Sequence, residues 1–310
     1  MTVSIGGSPG DKTTGKAATG PLLRHHAEKT CPPVDKVVRK VCEISTLPHI
    51  ALRLMKVAND ERSSAADLKA VMEGDPALSA RVLRCVNSSA FAVRGKITNL
   101  QQAIAYLGMK QIRNLAMTAS VSKMFAKDER IGYYCRSGVW RHLVSVGICA
   151  RMLAMRLKFM NFEDMFLAGL LHDIGIIVED QFAHEDFTRV VQSLNDKQML
   201  TAAEQLHFNF DHTILGDRLA ESWGFPEAVR AAVRHHHASV NYRGSETDLV
   251  RCVEVANLIC TLKMISSMGQ KLPVCSRPAF AELSLTKEDV VVLSADLDRE
   301  FASNADLFQI

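Results

Sequence analysis

Residues Ala168 to Gly175 read Ala-Gly-Leu-Leu-His-Asp-Ile-Gly, placing an adjacent histidine and aspartate at the end of an apolar run. Apolar side chains dominate from Met165 to Leu171, so the segment predicts a buried helix. An imidazole and a carboxylate removed from water together are costly unless something satisfies both. A divalent cation does so, because neutral imidazole and ionised carboxylate bind it at once. A self-satisfied pair, with His172 donating to Asp173 or to backbone, is the alternative that needs no ion. The other histidines bear on that choice. His142, His212 and the triplet His235-His236-His237 fall on three further predicted helices, and facing helices of a bundle assemble metal sites from their inward side chains. So many ligand-type groups, buried without a shared partner, would leave an unusual number of unsatisfied polar atoms. Each also has a local explanation. The triplet at a helix C-terminus complements the helix dipole, His142 near the start of its helix suits partial exposure, and His207 and Asp211, four apart, suit a side-chain hydrogen bond.

The elements that must position these residues are helices. Val34, Val37, Val38 and Val41 repeat at the spacing of one helix face. Pro48 opens a second helix through about Asn59, and Ser63-Ser64 caps a third that ends near Gly74. Asp75-Pro76 caps a fourth through about Asn87, Thr98 or Asn99 caps a fifth through Leu107 with Gly108 as its stop, and Met109 to about Phe125 forms the sixth. A charged joint, Lys127 to Gly138, leads into a long helix from about Val139 to Leu157 carrying His142. Phe162 to Glu179 carries His172-Asp173, His184 to Asn195 is amphipathic with His184 at the surface, and Thr201 to Trp223 carries His207 and His212. Pro226 starts a helix that runs into the triplet, Asp248 to about Met268 bears Asn257, Gly269 to Arg277 is a linker, and Lys287 to about Phe301 is a terminal docking helix. Residues 1–33, rich in Gly, Ser, Thr and Lys, read as a flexible tail in which His25 and His26 are incidental.

Composition agrees. The 310 residues are 47% hydrophobic but only 6% aromatic, and hairpin dipeptides Asn-Gly and Asp-Gly are absent, which favours an all-α fold. A net charge of +3 and a pI near 8.4 are too weak to imply nucleic acid as a partner. The eight cysteines show no C-x-x-C spacing and read as reduced core residues. No apolar run approaches the roughly 18 residues of a membrane span, and the N-terminus lacks a signal-peptide core. No membrane partner and a cytoplasmic location are the expectation.

Leu47-Pro48, Gly74-Asp75-Pro76-Ala77-Leu78, Asn87-Ser88, Ile97-Thr98, Ala103-Ile104 and Leu107-Gly108, in that order, resemble the HDOD family. These are bacterial signalling proteins related to, but distinct from, the HD phosphohydrolases. The resemblance runs from about residue 40 to about residue 295. It implies two helical bundle subdomains, an N-terminal HDOD unit over 34–126 and an HD-like unit over 127–270, followed by the linker and docking helix over 271–310. The HD superfamily pattern is H…HD…H…HH…D. His142, His172 and Asp173 match its first part, and His212 its middle histidine, with Gly216 four residues on and Trp223-Gly224-Phe225-Pro226-Glu227 behind. His207 is a weaker competitor for that position. His236 and His237 fit the pair, leaving His235 as a neighbour. The closing aspartate is replaced by Asn257, at most a weak outer ligand. With Asp173 as the only anionic ligand, two close divalent ions are electrostatically disfavoured. The resemblance therefore implies at most one divalent transition metal: iron, zinc, manganese or nickel. Ile176 stands where HD-GYP hydrolases commonly carry lysine, and the Gly-Tyr-Pro signature is missing, since Ala238-Ser239-Val240 follows His237.

Two functions are open at this point. One is a regulatory signal-transduction module that engages signalling proteins in trans, with a partly retained metal site and little or no hydrolase activity. The alternative is a metal-dependent phosphohydrolase acting on a nucleotide or cyclic dinucleotide, with Asp173 in the catalytic role. The departures at Asn257 and Ile176 favour the first.

Overall fold

Helix boundaries in the first part of the chain are set by side chains that cap their own backbone. The structure, a computed structural model, describes residues 34–44, 49–60, 62–91, 93–195, 198–268 and 277–305. After α1 (Val34–Ile44) and α2 (His49–Asn59), Ser64 caps α3 (Ala65–Glu73) in a reciprocal box with Asp67. Asp75 caps α4 (Pro76–Val86) by accepting from the Leu78 N–H at 2.9 Å. Asn99 does the same for α5 (Leu100–Leu107) through the Gln102 N–H, also at 2.9 Å. Gly108, at φ +83°, ends α5 and lets α6 (Met109–Val121) start at once. Asn87 ties the end of α4 to the loop that follows, exchanging hydrogen bonds with the backbone N–H and carbonyl of Ile97.

The remaining elements surround α7 (Arg136–Arg156) and α8 (Phe162–Leu171), which pack along each other and are buried over most of their surface. They continue as α9 (Ile174–Phe182), α10 (His184–Ser193), α11 (Leu200–Phe208), α12 (His212–Ser222), α13 (Glu227–His235), α14 (Thr247–Leu262), α15 (Arg277–Glu282) and α16 (Lys287–Ser303). Before α7, a two-stranded antiparallel hairpin, β1 (Arg130–Ile131) and β2 (Tyr134–Cys135), is pinned to α9. There the Tyr134 hydroxyl and Arg136 Nε both donate to Asp180, at 2.6 and 2.5 Å. The two halves share one core: α6 packs on α8, α1 on α12, and α16 on α7. The all-α architecture expected of the sequence is what the chain adopts. No helix among the described residues is long and apolar enough to cross a membrane.

Several boundaries differ from expectation, each for a local reason. The single helix expected over 162–179 is broken at His172-Asp173, where Asp173 leaves helical geometry at φ −104°, ψ 20°. The helix expected over 201–223 is broken too. Asn209 is left-handed at φ 63°, and Asp211 caps α12 through the Thr213 and Ile214 N–H groups. Asp211 is therefore a capping residue and not the partner of His207, which is exposed. α14 stops at Leu262, and the hairpin within 127–138 and the short α15 were not foreseen. The expected tail over 1–33 and most of the linker over 269–277 lie outside the described residues.

Close helix crossings bring the histidine-bearing helices together. A Cβ on Gly169 of α8 would lie 2.9 Å from Gly147 Cα of α7. One on Gly175 of α9 would lie 2.1 Å from the His212 carbonyl oxygen of α12. Neither position has room for a side chain, because backbone fills the space.

Candidate metal centre

The break between α8 and α9 turns the Asp173 carboxylate inward, and four other segments aim imidazoles at it. His142 from α7, His172 at the end of α8, His212 at the start of α12 and His236 just past α13 are each 0 or 1% exposed, and Asp173 is 4% exposed. His237 completes the set and is part-buried. Asp173 Oδ1 lies 3.1 Å from His236 Nε2 and 3.4 Å from His212 Nε2. Asp173 Oδ2 lies 3.3 Å from His172 Nε2 and 3.7 Å from His142 Nε2. His212 and His237 approach to 3.0 Å, Nε2 to Nε2, and His142 and His172 to 3.2 Å in the same way.

On the far side, four of the five rings are held by other acceptors. His142 Nδ1 donates to the Ile265 carbonyl and His172 Nδ1 to the Gly169 carbonyl, both at 2.8 Å. His236 Nδ1 donates to the Val233 carbonyl at 3.0 Å, and His212 Nδ1 to Glu204 at 2.8 Å. With those protons assigned to Nδ1, neutral His142, His172 and His236 turn Nε2 lone pairs toward Asp173, whereas His212, when protonated, donates from Nε2 to Asp173 or His237. A cation would satisfy the lone pairs that remain. Fixing Nδ1–H on a carbonyl or carboxylate is how the surroundings of a metal site orient an imidazole ligand.

An ion fits on two further counts. Asp173 Oδ1 and His236 Nε2 are buried with no hydrogen-bond partner. For nitrogen and oxygen ligands at about 2.0–2.1 Å, tetrahedral donors sit about 3.3 Å apart. The spacings of 3.0, 3.1 and 3.4 Å among Asp173, His212, His236 and His237 match that edge. A second group, His142, His172 and Asp173, shares the same carboxylate through its other oxygen.

The electrostatics favour a cation. Burial and the neighbouring His172 hold His142 down at about 4. Burial, helped by the adjacent imidazoles, also keeps His236 and His237 below the usual histidine range. Burial works against ionising Asp173, but His172, His212 and His236 outweigh it and hold the carboxyl well below the carboxylate range. His212 goes the other way: burial opposes its charge, yet Glu204 and Asp173 raise it well above an ordinary histidine. Without a metal, a proton on His212 supplies the missing positive charge, and an incoming ion would displace it.

The structure thus brings together His142, His172, Asp173, His212, His236 and His237. Asn257 lines the cavity over the cluster, as does Ile176, but it is outside the ligand atoms grouped around Asp173, and its Oδ1 accepts from Thr261 Oγ1 at 3.5 Å. His235 instead lies tilted against the Tyr242 ring, and His184 pairs with Asp180 at 2.7 Å. Three contributors had no role assigned from the sequence, although Glu204 stands on the same expected helix as His212. Glu204 grips both the Nδ1 and the backbone N–H of His212; Ser267 hydrogen-bonds Asp173; the Ile265 carbonyl orients His142. None carries a sequence signal, since each acts through a fold-level contact. Glu254, which accepts from the Ser239 N–H at 3.0 Å, anchors the turn behind His237 in the same way.

The profile of the HDOD domain matches residues 44–239. The chain is 22% identical over 226 residues, 72% of its length, to an uncharacterised protein of Treponema pallidum (strain Nichols), and spans only 43% of that protein. It is similar to the crystal structure of an HDOD domain protein of unknown function from Geobacter sulfurreducens, at 25% identity and a TM-score of 0.74, covering 89% of this chain and 98% of that one. A Marinobacter aquaeolei VT8 protein, described provisionally as acting in signal transduction, matches at 22% identity and a TM-score of 0.73, covering 89% and 65%. The family profile covers more than half of the sequence and spans the motifs from Gly74 to Gly108 together with His142 to His237, so the chain belongs to the HDOD domain family.

Proposed function

We propose that the chain is a regulatory signal-transduction module, engaging signalling proteins in trans, whose helical body holds one divalent transition metal and has little or no hydrolase activity. Asp173, His212, His236 and His237 would hold the ion, with His142 and His172 on the other oxygen of Asp173. Nitrogen-rich ligation favours iron, zinc, manganese or nickel over magnesium. The observation that carries the regulatory reading is the cavity over the ligands. Among its described lining residues there is no lysine or arginine, Ile176 fills one wall, and Asn257 stands in place of a carboxylate. Phosphoryl transfer depends on cationic groups that stabilise charge on the phosphoryl oxygens, and beyond the ion and its histidines this lining supplies no lysine or arginine to do so.

The second reading is a metal-dependent phosphohydrolase on a nucleotide or cyclic dinucleotide. It is favoured by the same cavity reaching Asp173 and the part-buried His237, which gives a small molecule access to the ligands. A bound ion would there supply a water of lowered pKa.

Elemental analysis of the chain purified without a histidine tag tests the first claim, and at most one equivalent of a transition metal is expected. Assays with nucleotide phosphates and cyclic dinucleotides test the second, with negligible turnover expected. Robust turnover abolished by Asp173→Ala replaces the regulatory reading with the hydrolase.

A further inference from the structure

A second cavity, of about 160 Å³, lies among α6, α7, α8 and α16 and shares no lining residue with the one over the metal centre. One water needs about 10–15 Å³ of such space, so a small organic molecule has room. Phe91, Met152 and Phe166 are among its apolar walls, and Gln111, Asn114, Arg151 and Glu163 supply polar groups, the usual make-up of a small-molecule pocket. Glu163, on α8, is 8% exposed. Its Oε2 accepts from Asn114 Nδ2 at 2.6 Å, and Asn114 is held in turn by Arg113, whose Nε and Nη2 donate to its Oδ1 at 3.1 and 3.0 Å. The other carboxylate oxygen, Oε1, is buried and meets no hydrogen-bond donor. Arg151 Nε lies 3.0 Å from it. That N–H is also buried and unbonded, since the two groups approach out of the alignment a hydrogen bond requires.

One buried acceptor and one buried donor therefore stand side by side, each lacking a partner, and such orphans are costly. A ligand satisfies both if it carries a donor next to an acceptor. Anions are a poor fit: a phosphate or carboxylate drawn to Arg151 meets Glu163 3.0 Å away, and Glu300 adds a further carboxylate to the lining. A cation drawn to Glu163 meets Arg151 in the same way. A neutral N–H beside a C=O answers both, with its N–H to Glu163 Oε1 and its C=O to Arg151 Nε. The flat, cyclic form of that group is the lactam edge of a keto nucleobase, whose ring faces suit walls of phenylalanine and methionine.

We infer that this cavity binds a nucleobase through its lactam edge, the edge shared by guanine, hypoxanthine and uracil, with Glu163 as the acceptor and Arg151 as the donor. Asn114 positions Glu163 by occupying its other oxygen. The walls come from α6 and α16 as well as from α7 and α8, so a bound base bridges the leading helices to those that bear His142 and His172. The site stands independently of the metal centre and of the regulatory reading, and its failure leaves both untouched.

The test is calorimetric titration of the full chain with free bases. Hypoxanthine or uracil is expected to bind, and to do so about 10- to 100-fold more tightly than its amino counterpart, adenine or cytosine. The amino bases turn a lone pair toward the carboxylate and an N–H toward the guanidinium. In Glu163→Gln the bond from Asn114 claims the amide oxygen and leaves an N–H facing the cavity, so affinity for the bound base is expected to fall about tenfold or more. Arg151→Met, which removes the donor, is expected to do the same. The Asn114 side-chain N–H resonances of the parent are expected to shift when the base is added. Binding of neither keto base, equal binding of the amino bases, affinity that survives Glu163→Gln, or Asn114 resonances that stay in place would each overturn the inference and leave a water-filled cavity only. Should either variant fail to fold, the comparison of bases and the Asn114 resonances, both measured on the parent, still decide.

Discussion

Helices α3 to α5 and helices α7 to α13 use similar polar side chains for different ends. In the first group Ser64, Asp75 and Asn99 satisfy backbone N–H groups three residues away, at partly or fully exposed positions. In the second, the polar groups are buried, and although His172 and His236 find local carbonyls, others depend on residues far along the chain. His142 reaches a carbonyl 123 residues away, and Asp173 a hydroxyl 94 residues away. Locally satisfied groups fail one at a time. A cluster that meets around one carboxylate is coupled, so a change to any part is felt by the rest.

The sharpest test of that contrast is a pair of glycine substitutions. Gly175→Ala would set a methyl group 2.1 Å from the His212 carbonyl oxygen, driving α9 from α12. The expected cost is about 3 kcal/mol or more in chemical denaturation, with loss of metal uptake. Gly108→Ala meets nothing within 4 Å and strains only its own φ of +83°. It is expected to cost about 1–3 kcal/mol and to leave metal uptake intact. Equal metal loss in both would erase the distinction.

Acid is the next probe, applied to metal-free protein. The His142 value of about 4 lies below that of an unfolded histidine, so the unfolded chain binds the proton more readily. The stability this represents is complete above pH ~6.5 and is lost as pH falls toward 4, about 3 kcal/mol from His142 alone. His236 and His237, also lowered, act with the same sign. His212, being raised, contributes stability that is present in acid and lost only as pH rises through its folded value. Denaturation midpoints that stay flat between pH 6.5 and 4 would contradict the buried neutral state of His142.

Glu204→Gln replaces a charged grip on His212 with a neutral one and is expected to lower metal affinity by about 10- to 100-fold, measured by competition with a chelator. The smallest effect is expected from Asp75→Ala. Removal of that cap costs about 1 kcal/mol in thermal or urea unfolding, with metal affinity unchanged.

The same contrast explains what could be read from the chain in advance. Caps and the first turns of α3, α4 and α5 are written in adjacent residues, and the structure begins those helices at or within a residue or two of where Ser64, Asp75-Pro76 and Asn99 indicate. The histidines and Asp173 were legible as a set because residue type marks them, and the order of motifs assigned His212 over His207. The breaks at Asp173 and Asn209 were masked by apolar periodicity that continues across them. Asn209 and Asp211-His212-Thr213 did carry a stop and a cap, outweighed by the expected length of one helix. Ser267 and the Ile265 carbonyl had no marker, and Glu204 was visible only as a carboxylate on the helix of His212, since what selects all three is proximity created by packing.

The crossing of α7 and α8 carries one more consequence. Where Gly147 and Gly169 meet, main chain rests on main chain, so the separation between the helices that bear His142 and His172 is set by peptide backbone and not by the choice of side chain. Replacing either imidazole would therefore leave this main-chain spacing in place, and what such a change removes is a donor atom and not the distance between the two helices.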